Sequence, residues 1–270
     1  MEGWHSAHMI DVGRLEELYD KFNHRRYVSP DPIEVVYQYK NPRDQEVVAF
    51  IAAMLSYGRV ASILKNVNWV LDRLEGEPYR FLTEARPVFF QRGLGDFKHR
   101  WTTSEEMSAM LLSMRTLLSQ YGSLENAFMS GYDARDKSII PAMGLWTRSL
   151  NRSSCRSLIA RPEKGSACKR LHMYLRWMVR SDNIDLGLWT RVRPDQLFVP
   201  LDTHMFRVSG GMGLTSRKQA NFLTVQEVTE GFRRLVPEDP VRYDFALTRL
   251  GIRKDESMRE FLYGKRILKQ

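Results

Sequence analysis

The stretch GSACKRLHMYLRWMVRSDNIDLGLWTRVRPDQLFVPLDTHMFRV, Gly165–Val208, is the part of the chain from which we predict the fold. Its first half indicates a helix that begins after the turn residue Gly165, with Ser166 as the N-cap. Lys169 then lies in the first turn, where the helix dipole and the neighbouring Arg170 disfavour its ammonium form. A lysine that loses its proton easily is a better amine nucleophile. The face predicted to pack inward carries Leu171, Tyr174, Leu175, Met178 and Val179.

The second half of the stretch places an aspartate at the start of another helix. Pro200 favours an extended lead-in, and Asp202 then precedes a short helical segment at residues 203–208, so Asp202 is a candidate N-cap. Alone, such an aspartate usually only caps a helix, and a lone lysine is usually solvated or bound to phosphate. Side chains at the starts of two helices can face each other across a cleft. We therefore predict that Lys169 and Asp202 face each other across a cleft, and this pair is the most specific chemical signal in the sequence.

The rest of the chain shows helical periodicity and no sustained alternation of the kind that strands require. The short loops favour compact antiparallel helices, and we predict an all-α fold in one domain with two lobes. Residues 66–200 form the central lobe, residues 1–65 and 201–270 form the second, and the cleft lies between them. The predicted helices span residues 12–23, 32–39, 43–56, 60–74, 78–84, 104–121, 124–129, 139–150, 224–235 and 240–250, with a loop at 91–101.

The chain is basic, and the charge is concentrated in one region. Its 270 residues include 41 Lys and Arg and 32 Asp and Glu, which gives a net charge of +9. Residues 146–193 hold 11 basic and three acidic residues, a net charge of +8. Such a block indicates an anionic partner, and nucleic acid is the commonest one.

Other features of the composition exclude several classes of protein. Cys155 and Cys168 are the only cysteines, too few for a four-cysteine cluster, and no His/Cys group has metal-ligand spacing. We therefore expect no metal and no cofactor. No signal peptide and no apolar run of membrane-spanning length is present. These features predict a cytoplasmic protein with no membrane partner. We also expect a monomer that is associated with the nucleoid.

The run KRLHMYLRWMVR, Lys169–Arg180, followed by PLDTH, Pro200–His204, resembles the helix-hairpin-helix DNA glycosylase superfamily. Within it, the chain is similar to an uncharacterised prokaryotic branch and to archaeal 8-oxoguanine glycosylases. The resemblance covers residues 41–252. It implies that residues 162–166 form the hairpin, that Lys169 is the catalytic lysine of bifunctional members, and that Asp202 is the essential aspartate.

The resemblance also implies a DNA-binding surface and a pocket for a flipped base. Tyr57 and Arg59 stand where the superfamily often inserts a side chain into DNA, and Gly165 and Ser166 belong to the hairpin. Basic residues near these segments are candidates for phosphate contacts. They are Arg161, Lys164, Arg207 and Lys218. Aromatic walls for the pocket are sought among Trp146, His172, Trp177, Trp189, Phe198 and His204, although large aromatics more often pack in cores.

Two classes of function follow. The first is a base-excision repair glycosylase with lysine imine chemistry and AP lyase activity on double-stranded DNA, acting on a damaged, possibly oxidised base. The second is a non-catalytic protein that binds DNA or RNA on the same scaffold. The presence of both Lys169 and Asp202 favours the first. The hairpin retains only Gly165 of the two glycines usual in the superfamily, which favours the second. An enzyme acting on a nucleoside or another small metabolite is a third, weaker alternative.

Overall fold

The computed structural model describes residues 11–92, 94–150, 155, 157–252 and 261, and these are mostly helical. The predicted all-α class is therefore confirmed at this level. The α-helices are α1 Val12–Phe22, α2 Pro42–Met54, α3 Val60–Asp72, α4 Pro78–Glu84, α5 Pro87–Arg92, α6 Ser104–Tyr121, α7 Leu124–Met129, α8 Ile140–Leu150, α9 Lys169–Val179, α10 Thr203–Gly211, α11 Phe222–Leu235 and α12 Asp244–Ile252.

Short polar side chains begin many of these helices. Asn41 accepts a hydrogen bond from the amide of Arg43 at the start of α2, and Pro42 follows it, where a missing N–H costs nothing. Ser123 caps α7 in the same way. The helix α1 and the helices α3, α4, α6, α7 and α8 agree with their predicted ranges to within a few residues, because caps and prolines are local signals.

The core surrounds α2, in which residues 46–54 are all buried. This helix packs against a 3-10 segment at Pro32–Gln38 and against α3, α4 and α9. Beside it lies an aromatic cluster in which Trp146 stacks on Tyr174, and Trp189 meets both rings edge to face. Glu46 is buried next to this cluster, where it accepts a hydrogen bond from Trp189 Nε1 at 2.8 Å.

The first and last helices of the described chain pack together. Helix α1 lies against α12, which also contacts α10. Glu16 in α1 accepts hydrogen bonds from Arg242 and from the Tyr243 hydroxyl just before α12. This contact closes the fold and brings α12 next to the start of α10.

The structure corrects four local predictions. The predicted loop at residues 91–101 contains the end of α5 and the first strand of a small antiparallel hairpin, β1 Lys98–His99 and β2 Thr102–Thr103. The segment after Asp31 is a 3-10 helix, and α12 begins four residues later than predicted. Ser166 does not cap α9, which begins after Cys168 without a side-chain cap. The predicted tail beyond residue 252 lies outside the described residues, apart from residue 261.

Candidate active-site cleft

A cavity of about 370 Å³ contains both residues of the predicted pair, Lys169 and Asp202. Its volume lies in the range of small-molecule pockets. Five parts of the chain form its walls: residues 30–32, the α2–α3 connection with the start of α3, helix α9, the start of α10, and helix α12. Residues more than 200 positions apart in the sequence therefore meet in one cleft.

Lys169 lies on one face of α9 that is turned to the cleft. Met173, Arg176 and Trp177 follow at intervals of four, seven and eight residues, and all three line the same cavity. This spacing is that of a single helical stripe. Lys169 is half-buried, and no ion pair joins it to Asp202 among the described residues. The lysine is thus placed in the cleft by its position on the helix.

The connection before α9 fixes where the helix starts. Gly165 has φ of 74° and Cys168 has φ of 44°, so the chain passes through the left-handed region twice within four residues. The second case is costly for a side chain other than glycine, about 1–3 kcal/mol. The Ser166 hydroxyl accepts a hydrogen bond from the Cys168 amide at 3.3 Å, which tightens this turn instead of capping the helix.

Asp202 is the N-cap of α10, as predicted. Its Oδ1 accepts a hydrogen bond from the Met205 amide at 2.8 Å, and its backbone is extended. This bond orients the carboxylate and leaves Oδ2 without a hydrogen-bond donor from the described part of the protein. His204 and Thr203 follow it along the cavity wall. The carboxylate is therefore held in one orientation by a backbone amide while one oxygen remains open to the cleft.

A second carboxylate, Asp244, lies in the same wall at the start of α12. It is 5% exposed and forms an ion pair with Arg176, which also bonds Asp185. Its Oδ1 has no hydrogen-bond partner among the described residues. Burial raises the pKa of Asp244 to about 6, Arg176 opposes this, and the charge of Asp202 adds to it. The cleft therefore holds three carboxylates, Asp31, Asp202 and Asp244, and the last two differ in their environments.

A smaller groove of about 330 Å³ adjoins the cleft and shares Ser56, Tyr57 and Lys169 with it. The predicted hairpin residues Gly165 and Ser166 line this groove. The segment predicted as the hairpin of the glycosylase resemblance consists of one 3-10 turn, Pro162–Lys164, and then the left-handed Gly165. The groove thus runs from the start of α9 to the cleft.

The structure separates the predicted pocket aromatics into two groups. Trp177 and His204 line the cleft. Trp146, Trp189, His172 and Phe198 are buried and line neither of the two cavities. The prediction of a pocket role for Trp146, His172 and Trp189 is therefore not supported by their positions. Their apolar surfaces gain more from packing around α2 and α9 than a solvent-filled cleft offers.

The predicted DNA-binding residues lie at or near the surface. Tyr57 is half-buried and lines both cavities, whereas Arg59 is exposed at the start of α3. Arg161 is half-buried, and Lys164, Arg207 and Lys218 are exposed. Their exposure allows contact with a partner.

Pairing reduces the charge of the basic block at residues 146–193. Arg176 and Arg180 are both 5% exposed and bind acidic residues from the block and from beyond it. Arg191 pairs with Glu125 at 3.3 Å and Arg193 with Asp195 at 2.9 Å. Sequence counting missed these partners because several lie far along the chain. The charge that remains available to a phosphate is smaller than +8.

Three residues of this region were not among the predicted site residues. Asp244 and Arg249 lie in the cleft wall, where Arg249 pairs with Asp31. Trp101, in the turn between strands β1 and β2, is 59% exposed. None of the three stands in a recognisable motif. A large exposed aromatic side chain is unusual, but the exposure of Trp101 is known only from the tertiary structure. The sequence therefore offered no signal for these three residues.

The described residues contain no group of three or more His, Cys, Asp or Glu side chains placed to hold a metal ion. Cys155 and Cys168 are both buried, and burial raises the pKa of each thiol to about 11. No helix in the described part of the chain has the length and apolar character needed to cross a membrane.

The described residues define a helical protein with a lysine and three carboxylates in one cleft. Residues 31–253 match the family described as "Protein of unknown function (DUF2400)", and the chain belongs to that family. No curated protein and no solved structure matches the chain.

Proposed function

We propose that this protein is a DNA base-excision glycosylase with AP lyase activity, and that Lys169 and Asp202 perform the chemistry. The observation that carries the proposal is that both side chains line one cavity, each at the start of a helix. The positive net charge and the resemblance of residues 169–180 and 200–204 to helix-hairpin-helix glycosylases support it. A damaged, possibly oxidised base on double-stranded DNA is the proposed substrate.

In the proposed reaction, the neutral amine of Lys169 attacks C1′ of the sugar. The C1′–N bond breaks, and its electron pair leaves with the base. Positive charge develops on the sugar, and the open carboxylate oxygen of Asp202 stabilises it. Asp202 also orients the amine and accepts its proton. The C1′–O4′ bond then breaks, O4′ takes up the proton that Asp202 accepted, and the nitrogen lone pair forms the protonated imine with the opened sugar. Strand cleavage follows by β-elimination, in which the C2′ proton is lost and the 3′ phosphate leaves.

The proposed base pocket uses the cleft residues that the structure brings to Lys169. Trp177 and Met173 supply an apolar wall on the same helical face, and His204 lies beside Asp202. A base that leaves the stack needs such a pocket, with stacking surfaces and hydrogen-bond partners. Arg59, Arg161, Lys164, Arg207 and Lys218 are proposed phosphate contacts outside it.

We further propose the two-lobed arrangement of the resemblance, with residues 66–200 as one lobe and residues 1–65 and 201–270 as the other. The packing of α1 against α12, and of α12 against α10, supports a lobe that joins the two ends of the chain. A monomer in the cytoplasm, associated with the nucleoid, is the corresponding cellular form.

Borohydride trapping tests the proposal. The purified protein is mixed with duplex DNA carrying an abasic site, or one of a panel of modified bases, and the imine is reduced. Wild type should become covalently linked to DNA, and Lys169→Gln should not. The exposed Lys137, to which the proposal gives no role, provides the matched control, because Lys137→Gln removes the same charge and should still be trapped. Trapping that persists in Lys169→Gln would contradict the role of Lys169.

A second proposal is a non-catalytic protein that binds DNA or RNA. One observation favours it: the hairpin is a single 3-10 turn with one left-handed glycine. Salt-dependent binding without trapping, across the whole lesion panel, would support this alternative over the enzyme.

A further inference from the structure

The hairpin of β1 and β2 presents a tryptophan to solvent at the rim of the cleft. Trp101 occupies the turn, and 59% of it is exposed, more than any other large hydrophobic residue among those described. Its indole stacks on the ring of Tyr57, with centroids 4.9 Å apart and planes at 17°. Tyr57 lines both the cleft and the adjoining groove. The stack therefore extends from the surface to the cavity that holds Lys169.

A network of hydrogen bonds holds this hairpin in place. The Tyr57 hydroxyl lies 2.9 Å from the His99 carbonyl and 2.6 Å from the Thr102 hydroxyl. The buried His99 ring lies 3.0 Å from the Tyr57 carbonyl and 2.7 Å from Asn66. Thr102 also contacts Ser157 at 2.7 Å. The tip is thus anchored to three other segments, and Trp101 is exposed on a rigid support.

Arg100 shapes the turn between β1 and β2 that exposes Trp101. Arg100 has φ of 55°, a left-handed conformation that a side chain other than glycine rarely adopts. Its side chain runs towards Gly58, where an added Cβ would lie 2.9 Å from Arg100 Cδ. Gly58 therefore makes room for Arg100 beside Tyr57. Strained residues of this kind persist where the surrounding structure enforces them, often at ligand sites.

The two segments that meet at Trp101 are basic, and the acidic residues next to them, Glu105 and Glu106, bond the Thr103 hydroxyl and Ser157. The two segments that meet here, residues 56–60 and 98–103, contain no acidic residue. They contain three exposed cations, Arg59, Lys98 and Arg100, and the Arg100 guanidinium lies 4.9 Å from the indole centroid. The Arg170 guanidinium lies 4.9 Å from the Tyr57 centroid. An exposed aromatic ring with cations beside it suits a flat base on an anionic backbone.

We propose that Trp101 is a stacking platform for an unpaired nucleobase at the rim of the cleft. This inference rests on the proposed nucleic-acid function, and it adds a residue that recognises an unpaired base. A base in an intact duplex already stacks on both neighbours, whereas an unpaired base gains a new partner in the indole. The protein should therefore prefer DNA with an unpaired base to intact duplex, and Trp101 should supply that preference.

Binding assays with three probes test the platform: an intact duplex, the same duplex with one unpaired 2-aminopurine, and a single strand. Trp101→Ala should weaken binding to the second and third probes about tenfold, and Trp101→Phe should lose less than about threefold, since a ring remains. Binding to the intact duplex should change little. Because no charge is removed, the salt dependence should stay parallel to that of wild type. Quenching of 2-aminopurine should disappear in Trp101→Ala.

Leu145→Ala is the control, since Leu145 is an exposed apolar residue in α8 that this inference does not use. An equal loss of affinity for all three probes in Trp101→Ala, or no loss for any, would overturn the platform. Comparing the binding of the three probes with the borohydride trapping of wild type and Lys169→Gln separates the two proposals. If wild type is never trapped but Trp101 still determines the preference for unpaired bases, the platform stands and the glycosylase proposal fails. If wild type is trapped but Trp101→Ala binds all three probes as wild type does, the glycosylase proposal stands and the platform fails.

Discussion

Asp202 and Asp244 line the same cleft from the starts of α10 and α12, and they interact through their charges. Asp202 is half-buried and bonds one backbone amide, whereas Asp244 is almost completely buried against Arg176. Burial raises the pKa of Asp244 to about 6, and the charge of Asp202 adds to this effect. The open carboxylate is thus suited to chemistry, and the buried one ties the cleft wall to α9.

Asp202→Asn should reduce base release far more than stability. Asn keeps an acceptor for the Met205 amide, so the free energy of unfolding should fall by at most about 1 kcal/mol. It cannot stabilise positive charge, and the rate of base release should fall about 100-fold or more. Single-turnover assays and urea unfolding measure the two effects. Asp202→Ala, which also loses the cap, should unfold more easily than Asp202→Asn. Full activity in Asp202→Asn would remove this carboxylate from the mechanism.

Binding to duplex DNA should weaken steeply with salt, because phosphate neutralisation releases counterions. Lys164→Ala, Arg207→Ala and Lys218→Ala should each lower the slope of log affinity against log salt by about one. Arg180→Ala should leave the slope unchanged if the variant folds, since Arg180 is buried and paired with Asp185. Fluorescence anisotropy across a salt series measures this. A flat response in wild type would count against both proposed functions.

His172→Leu should make the protein more resistant to acid. His172 is 1% exposed, neither ring nitrogen has a hydrogen-bond partner among the described residues, and burial lowers its pKa to about 3. The unfolded chain binds a proton near pH 6.5 and the folded chain does not, so wild type loses stability as pH falls from about 6.5 towards 3. The loss is at most about 1.4 kcal/mol per pH unit.

Urea unfolding of wild type and His172→Leu at neutral pH and near pH 5 checks this prediction. At neutral pH the variant should be at least as stable, because it removes unsatisfied buried nitrogens. The exposed His24 offers a control, and His24→Leu should respond to acid as wild type does. Equal acid responses of wild type and His172→Leu would show that His172 is not buried as described.

Asp244→Asn should change the pH dependence of stability in the opposite direction. The folded-state pKa of Asp244 is raised from 3.8 to about 6, so folding takes up a proton between these values. The stabilisation of the folded state by Asp244 is therefore complete below about pH 4, and it declines as the pH rises through 6. Relative to Asp244→Asn, wild type should lose stability over this window by on the order of 1 kcal/mol per pH unit. A constant difference from pH 4 to 7 would contradict the raised pKa.

Local signals in the sequence determined the helices and the cap of the site. The Asp202 cap and the proline-led starts of α2 and α4 depend on residues within one turn, so they are readable without the fold. Ser166 was misassigned because the left-handed Cys168 delays the start of α9. Such a conformation on a residue other than glycine depends on the surrounding packing, and a sequence does not show it.

By itself the sequence determined a helical chain, a basic composition, and two residues worth testing, Lys169 and Asp202. Only the tertiary structure decided that these two share a cleft, that Asp244 joins them, and that Trp101 stands at the rim. It also decided that Arg176 and Arg180 are buried in ion pairs and that Trp146 and Trp189 belong to the core. The physical reason is that hydrogen-bonded caps and helical periodicity act over a few residues. Burial, desolvation and charge pairing depend on which distant segments come into contact when the chain folds.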